Sequence, residues 1–214
     1  MYNSVALVFI VVAVVLALFD FFYGYKACQK VDSYGHFLGL SGIAAGVVII
    51  AYLFSITTEV YLYTSIASSV YFIGIDWMLV SLAHFAYDFT DSKLVRRSGL
   101  VRQFIRVYAI FDSLVLIVNI FREISVHYVL KDTVMISYSY EMKPLYIMHL
   151  LFTYFLVLLV VFVLFQKSRK TPRQYRNQYN LNILAIALVV IINALFLYPH
   201  ANSILNTYDF SILG

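Results

Sequence analysis

The side chains most able to do chemistry sit in residues 52–90, YLFSITTEVYLYTSIASSVYFIGIDWMLVSLAHFAYDFT, and they are Asp76, Trp77, His84, Tyr87 and Asp88. The run is apolar enough to be the end of one membrane helix, a turn and a whole second helix. Placing an ionisable side chain at bilayer depth is expensive, so each is a functional hypothesis by default. At 100° per residue, Asp76, Val80, Ala83 and Tyr87 form one stripe, with His84 on its shoulder. His84 and Asp88 are four apart and can meet on one face. Asp76, near mid-span, suits ligand or proton sensing, or a buried polar bond to a neighbouring helix. His84 titrates near neutral pH and suits a pH switch or a structural role. Asp88 lies near the membrane boundary, facing a cationic loop.

Other polar groups stand at matching depths. Glu59 is at the outer end of helix 2, and Asp112 is in the cytoplasmic half of helix 4. Asn119, Arg122, Glu123 and His127 occupy the outer end of helix 4 and the loop beyond it. His149 is in the outer third of helix 5 and Asn193 in the outer half of helix 6. Together these could line an outward-facing pocket walled by Tyr and Phe, the usual form of a ligand site. Arg122 would anchor an anion, because its planar fork suits carboxylate or phosphate. Glu123 and His127 could instead pair on an exposed helix end. The ligand-site candidates are therefore Glu59, Asp76, Trp77, His84, Asn119, Arg122, His149 and Asn193.

Enzyme signatures are missing. The chain contains no HExxH, GxSxG, GxxxxGK or glycine-rich dinucleotide fingerprint. His36, His84, His127, His149 and His200 are spread over different elements and depths, so no metal site and no cofactor are expected. The single cysteine, Cys28, excludes an internal disulfide and any cysteine-based zinc site.

The elements that must position these groups are set by composition. Of the 214 residues 63% are hydrophobic and 12% charged. Soluble domains carry about 45–50% apolar and about 25% charged residues, so this is the composition of a polytopic membrane protein. Six segments, at about 5–23, 37–58, 65–90, 104–121, 145–166 and 181–199, can span a hydrocarbon core of about 30 Å. They lack the alternation of a membrane barrel, so all are expected to be helices of an all-α bundle. The N-terminal run has no basic flank or cleavage box and reads as a retained helix. No proline breaks a span and no internal repeat is clear, which weakens a transporter reading. The sequence Gly42-Ile-Ala-Ala-Gly46 lets helix 2 approach a neighbour closely.

Orientation follows from the loops. Lys26, Lys30, Lys93, Arg96, Arg97, Arg102, Arg106, Lys167, Arg169, Lys170, Arg173 and Arg176 fall on one side of the membrane, and only Arg122, Lys131 and Lys143 on the other. The positive-inside rule then puts the N-terminus outside. It also accounts for the net charge of +4 without a nucleic-acid partner. The end of the chain, YPHANSILNTYDFSILG, lies outside just as apolar character resumes, which reads as a bundle cut before a seventh helix.

Residues 52–90, the stretch MHLLFTYFLVLLVVFVLFQKSRKTPRQYRNQYNLNILAIALVVIINALF and the segment LNTYDFSILG resemble the N-terminal seven-helix sensor region of bacterial histidine kinases and diguanylate cyclases. The resemblance covers nearly the whole chain and rests on loose aromatic and apolar spacing. Where many relatives have proline in helix 3, this chain has Asp76-Trp77. The resemblance implies a seven-helix bundle in the bacterial cytoplasmic membrane with an outside N-terminus and a cytoplasmic output domain. Its closest form is the sensor attached to cyclic-di-GMP enzymes, with GGDEF and often EAL domains. A histidine kinase is the alternative output, and a small transporter or channel a further one. Expected partners are the lipid bilayer, a small extracellular or membrane-borne ligand, and a second copy in a homodimer.

Overall fold

With no water at bilayer depth to satisfy the backbone, an apolar run must hydrogen-bond within itself, and a helix does this residue by residue. The computed structural model describes residues 2–30, 32–90, 99–130 and 138–197, and for some of these, Asn193 included, only the backbone. The described residues form α1 (Tyr2–Cys28), α2 (Ser33–Thr57), α3 (Tyr61–Thr90), α4 (Gly99–Arg122), a two-stranded antiparallel ribbon of β1 (Val126–Leu130) and β2 (Tyr138–Met142), α5 (Pro144–Lys170) and α6 (Arg173–Leu197). The expected seventh helix, the loop cations Lys93, Arg96, Arg97 and Lys131, and His200 lie outside the described residues.

Among the described residues five helices are long and apolar enough to cross a membrane, and α6 carries a shorter apolar stretch at Tyr179–Ile191. Each helix begins before its expected span, and α1, α4 and α5 also run past the expected end. Pro144 opens α5 at a position where its missing N–H costs nothing. Lys167, Arg169 and Lys170 fill its last turn, where they complement the negative end of the helix dipole.

The bundle is organised around α3, which packs against α2, α4 and α5, while α1 lies on α2 and α6 on α5. The α1–α2 contact is made by glycines. A Cβ on Gly39 would stand 2.6 Å from both the Gly24 carbonyl oxygen and the Cys28 nitrogen. One on Gly42 would stand 3.3 Å from the Gly24 Cα, and one on Gly46 about 3.0 Å from the Phe21 ring. The small residues of α2 thus let two backbones touch, as the Gly42–Gly46 spacing predicts.

The described residues form two apolar clusters. One joins α1, α2 and the first half of α3 to Leu116, Val126, Tyr128 and Tyr146. The other joins the second half of α3 to α4, α5 and Tyr179 of α6. The ribbon departs from the sequence reading, which leaves residues 123–143 as a loop. Within β1, Val126 and Tyr128 are buried while His127 is half-exposed, so a period of two holds over too few residues to stand out. The ribbon closes the end of the bundle opposite the Lys26, Lys30 and Lys167–Lys170 end.

Candidate functional site

At the junction of α3, α4 and α5 two carboxylates and an imidazole meet. His149 Nδ1 lies 2.6 Å from Asp112 Oδ2, in direct hydrogen-bonding contact. It lies 3.6 Å from Asp76 Oδ1, beyond a direct bond. All three residues are buried, Asp76 completely. Among the described residues neither Asp76 oxygen makes a direct hydrogen bond. The orientation of His149 is fixed by its walls: Tyr146 stacks on the imidazole at 5.6 Å and Phe72 meets it edge-on at 5.4 Å. Each acidic side chain comes from a different helix, so the trio ties α3, α4 and α5 together at one level.

Chemically, two carboxylates around one imidazole can share protons or coordinate a cation. One oxygen from each carboxylate and the His149 ring nitrogen lie within 4.8 Å of one another. A charge in such a place is costly unless it is paired, so the trio is sensitive to anything that alters its pairing.

Below the trio, towards the basic end, α3 and α4 are joined by two polar rungs. Arg106 Nε donates to His84 Nε2 at 2.8 Å, which makes His84 an acceptor and therefore a neutral imidazole in this arrangement. Phe37 of α2 meets the His84 ring edge-on at 5.1 Å. One turn on, Arg102 Nη2 pairs with Asp88 Oδ1 at 2.6 Å. Asp88 therefore faces a cation near the end of α3. Its partner is the arginine of α4 rather than His84, so the predicted His84–Asp88 meeting is replaced by two parallel inter-helix pairs.

Above the trio the ribbon is anchored by Asn119 and Glu123. Asn119 Oδ1 accepts from the backbone N–H of Ser125 at 2.6 Å and of Val126 at 2.9 Å, and Nδ2 donates to the Val126 carbonyl at 3.2 Å. Glu123 ends α4 in the left-handed region at φ 48°. Its N–H donates to the Asn119 carbonyl at 3.0 Å, a helix-stop geometry. The Glu123 carboxylate accepts from the Tyr61 hydroxyl and contacts His127 Nδ1 at 2.6 Å, while the Lys143 ammonium donates to its carbonyl. The Tyr61 hydroxyl, the largest influence, and His127 hold the Glu123 carboxyl below its usual range. Burial pushes the Tyr128 hydroxyl in β1 up to about 12.

Of the sequence candidates whose side chains are described, Asp76 and His149 meet. Glu59 is exposed in the turn before α3, and Arg122 is exposed at the end of α4. Trp77 is part-exposed on another face of α3, where its Nε1 donates to Ser113 Oγ at 3.2 Å. His84 lies two turns from Asp76, and Asn119 is consumed by the ribbon. The side chain of Asn193 lies outside the described residues. Among the described residues, grooves of about 480 and 310 Å³ run along apolar faces of the bundle, one over Phe155, Leu158 and Phe162 and the other beside Phe54 and Val70. Asp112 was visible in the sequence as a polar group of helix 4. Depth along the expected span 104–121 places it in the cytoplasmic half, whereas α4 starts at Gly99 and carries Asp112 past its midpoint to the level of His149.

No curated protein and no solved structure shows a significant match to the chain. A family described as the N-terminal 7TM region of histidine kinase matches residues 5–213. This all-α, multi-pass membrane chain therefore belongs to the N-terminal 7TM region of histidine kinase family.

Proposed function

We propose that the chain is the membrane-embedded input domain of a sensor histidine kinase, with the Asp76–Asp112–His149 trio as the element that couples signal to helix position. The observation that carries this reading is the buried trio itself, one residue from each of α3, α4 and α5. A trio of this kind biases the bundle because a change in its pairing alters how three helices are held relative to one another. A signal then shifts output only by favouring one arrangement over another. The family description names histidine kinases, which favours a kinase output; nothing found supports the diguanylate cyclase reading. On the charge rule the ribbon lies outside and the basic ends face the cytoplasm, with a cytoplasmic kinase working as a dimer in the inner membrane.

The test is made on the full-length protein in vesicles. Incubation with labelled ATP should produce an acid-labile phosphohistidine. Formation of a cyclic dinucleotide from GTP would instead restore the cyclase, and solute flux through liposomes would support a transporter.

A further inference from the structure

We propose that Asp76, Asp112 and His149 form a site for one divalent transition-metal cation. The proposal uses the trio of the sensor reading and rests on that reading only for its effect on output; binding itself stands on the geometry below.

The first observation is convergence. One ligand atom from each residue lies within 4.8 Å of the others, although the three are contributed by three helices. Zinc-type bonds to imidazole nitrogen and carboxylate oxygen are about 2.0–2.2 Å long, which puts neighbouring ligands roughly 3.4 Å apart around a tetrahedral ion. The His149 Nδ1 to Asp76 Oδ1 distance of 3.6 Å already matches that spacing. The Asp112 contact at 2.6 Å must open by less than about 1 Å, a side-chain rotation rather than a helix movement.

The second observation is independent of the first. Asp76 is fully buried, and among the described residues neither carboxylate oxygen makes a direct hydrogen bond, with His149 Nδ1 standing 3.6 Å from Oδ1. Buried polar groups are nearly always satisfied, and one that is not calls for an explanation. A cation bound between Asp76 and Asp112 supplies it. Two carboxylates and a neutral imidazole around a divalent ion sum to zero charge, the arrangement with the smallest penalty in a dry interior.

Ligand chemistry narrows the ion. One nitrogen and two carboxylates suit zinc, manganese, iron or cobalt rather than magnesium or calcium, which take all-oxygen shells. Three protein ligands leave a coordination position open, the pattern of a site that exchanges a small ligand. Phe72 and Tyr146 hold the His149 ring from two sides and limit its rotation, as aromatic walls do around a preorganised ligand.

The test uses the full-length protein in nanodiscs, freed of metal with a chelator and titrated with Zn²⁺, Mn²⁺ and Co²⁺ by calorimetry. The expected result is one saturable equivalent per chain, weakened at least ten-fold by Asp76→Asn and by His149→Gln and unchanged by His127→Ala. X-ray absorption of the wild-type zinc complex covers the case in which a trio variant fails to fold. It should show an all-N/O shell with one imidazole. Absence of a saturable equivalent, binding indifferent to Asp76→Asn and His149→Gln, or a shell with a thiolate or several imidazoles overturns the site. Kinase output separates the two readings. Loss of metal binding with a trio-dependent output removes the metal and keeps the sensor, whereas metal binding without any effect on output keeps the metal and removes the coupling role.

Discussion

His149 Nδ1 touches Asp112 at 2.6 Å and stands 3.6 Å from Asp76, so one imidazole on α5 bridges an acidic residue of α4 and one of α3. Removing one partner of a buried ionic contact leaves the other uncompensated, at a cost of about 3–5 kcal/mol. His149→Leu should therefore destabilise the bundle strongly. The double variant Asp112→Leu with His149→Leu should be less destabilised than the sum of the two single variants. A double-mutant cycle from denaturant titration in detergent micelles checks this; strictly additive losses would show that the pair is not coupled.

Asn119 satisfies three backbone groups at the start of the ribbon, and it is almost wholly buried. Asn119→Ala leaves the amides of Ser125 and Val126 without their acceptor, each orphaned group costing about 1–3 kcal/mol. Asn119→Asp keeps the acceptor and should recover most of the protection. Hydrogen exchange of the Ser125 and Val126 amides is the measurement. Equal protection in wild type and Asn119→Ala would count against the anchor.

Much of the architecture could be read from the chain. Long apolar runs and the uneven placement of lysine and arginine mark six helices, and Gly42 and Gly46 mark the close α1–α2 approach. The ribbon could not be read, because only Val126 and Tyr128 of β1 are seen to be buried and the anchor that fixes it, Asn119, looks like an ordinary polar helix end. The trio was half legible. Asp76 and His149 stood out as buried ionisable groups, but depth counted along separate helices does not tell which of them face each other. α4 begins at Gly99, well before its expected span, so Asp112 lies past the midpoint of the helix and in the same ribbon-side half as His149 near the start of α5. Trp77, beside Asp76 in sequence, points to another face for the same periodic reason.

The knot at Glu123 gives a pH dependence. The groups facing its carboxylate are the Tyr61 hydroxyl from α3, His127 from β1 and Lys143 at the start of α5, and they hold its carboxyl below the usual range. A depressed folded-state value contributes stability above the unfolded value, and that contribution disappears as pH falls through the folded value. Docking of the ribbon should therefore be unchanged from neutral pH down to about the ordinary carboxylate range and loosen below it. Corrected hydrogen-exchange rates for residues 126–130 between pH 6 and pH 3 read this out. Glu123→Gln should flatten the profile; a profile that keeps its acid limb in that variant would assign it to another group.

Glycine contacts give a contrast between a packed site on α2 and an open one at the start of α4. A Cβ at Gly39 would meet backbone atoms at 2.6 Å, whereas one at Gly99 meets nothing within 4 Å. Backbone cannot move aside as a flexible side chain can, so Gly39→Ala should cost at least the 1–3 kcal/mol typical of overpacking (an order-of-magnitude figure of about 2 kcal/mol). Gly99→Ala should be neutral or slightly stabilising. Thermal unfolding of the two variants in the same detergent compares them directly, and equal melting temperatures would contradict the tight α1–α2 contact.

The coupling role of the trio is tested most directly by the basal autophosphorylation rate of the full-length protein in vesicles, measured on folded Asp76→Asn, Asp112→Asn and His149→Gln variants beside Trp77→Phe and Arg122→Ala. A coupling free energy of typical size, about 1–3 kcal/mol, corresponds to a change of roughly 5-fold to 150-fold. The account predicts a shift of at least about 5-fold in the three trio variants and none in the two controls. Wild-type rates in all three trio variants would contradict it.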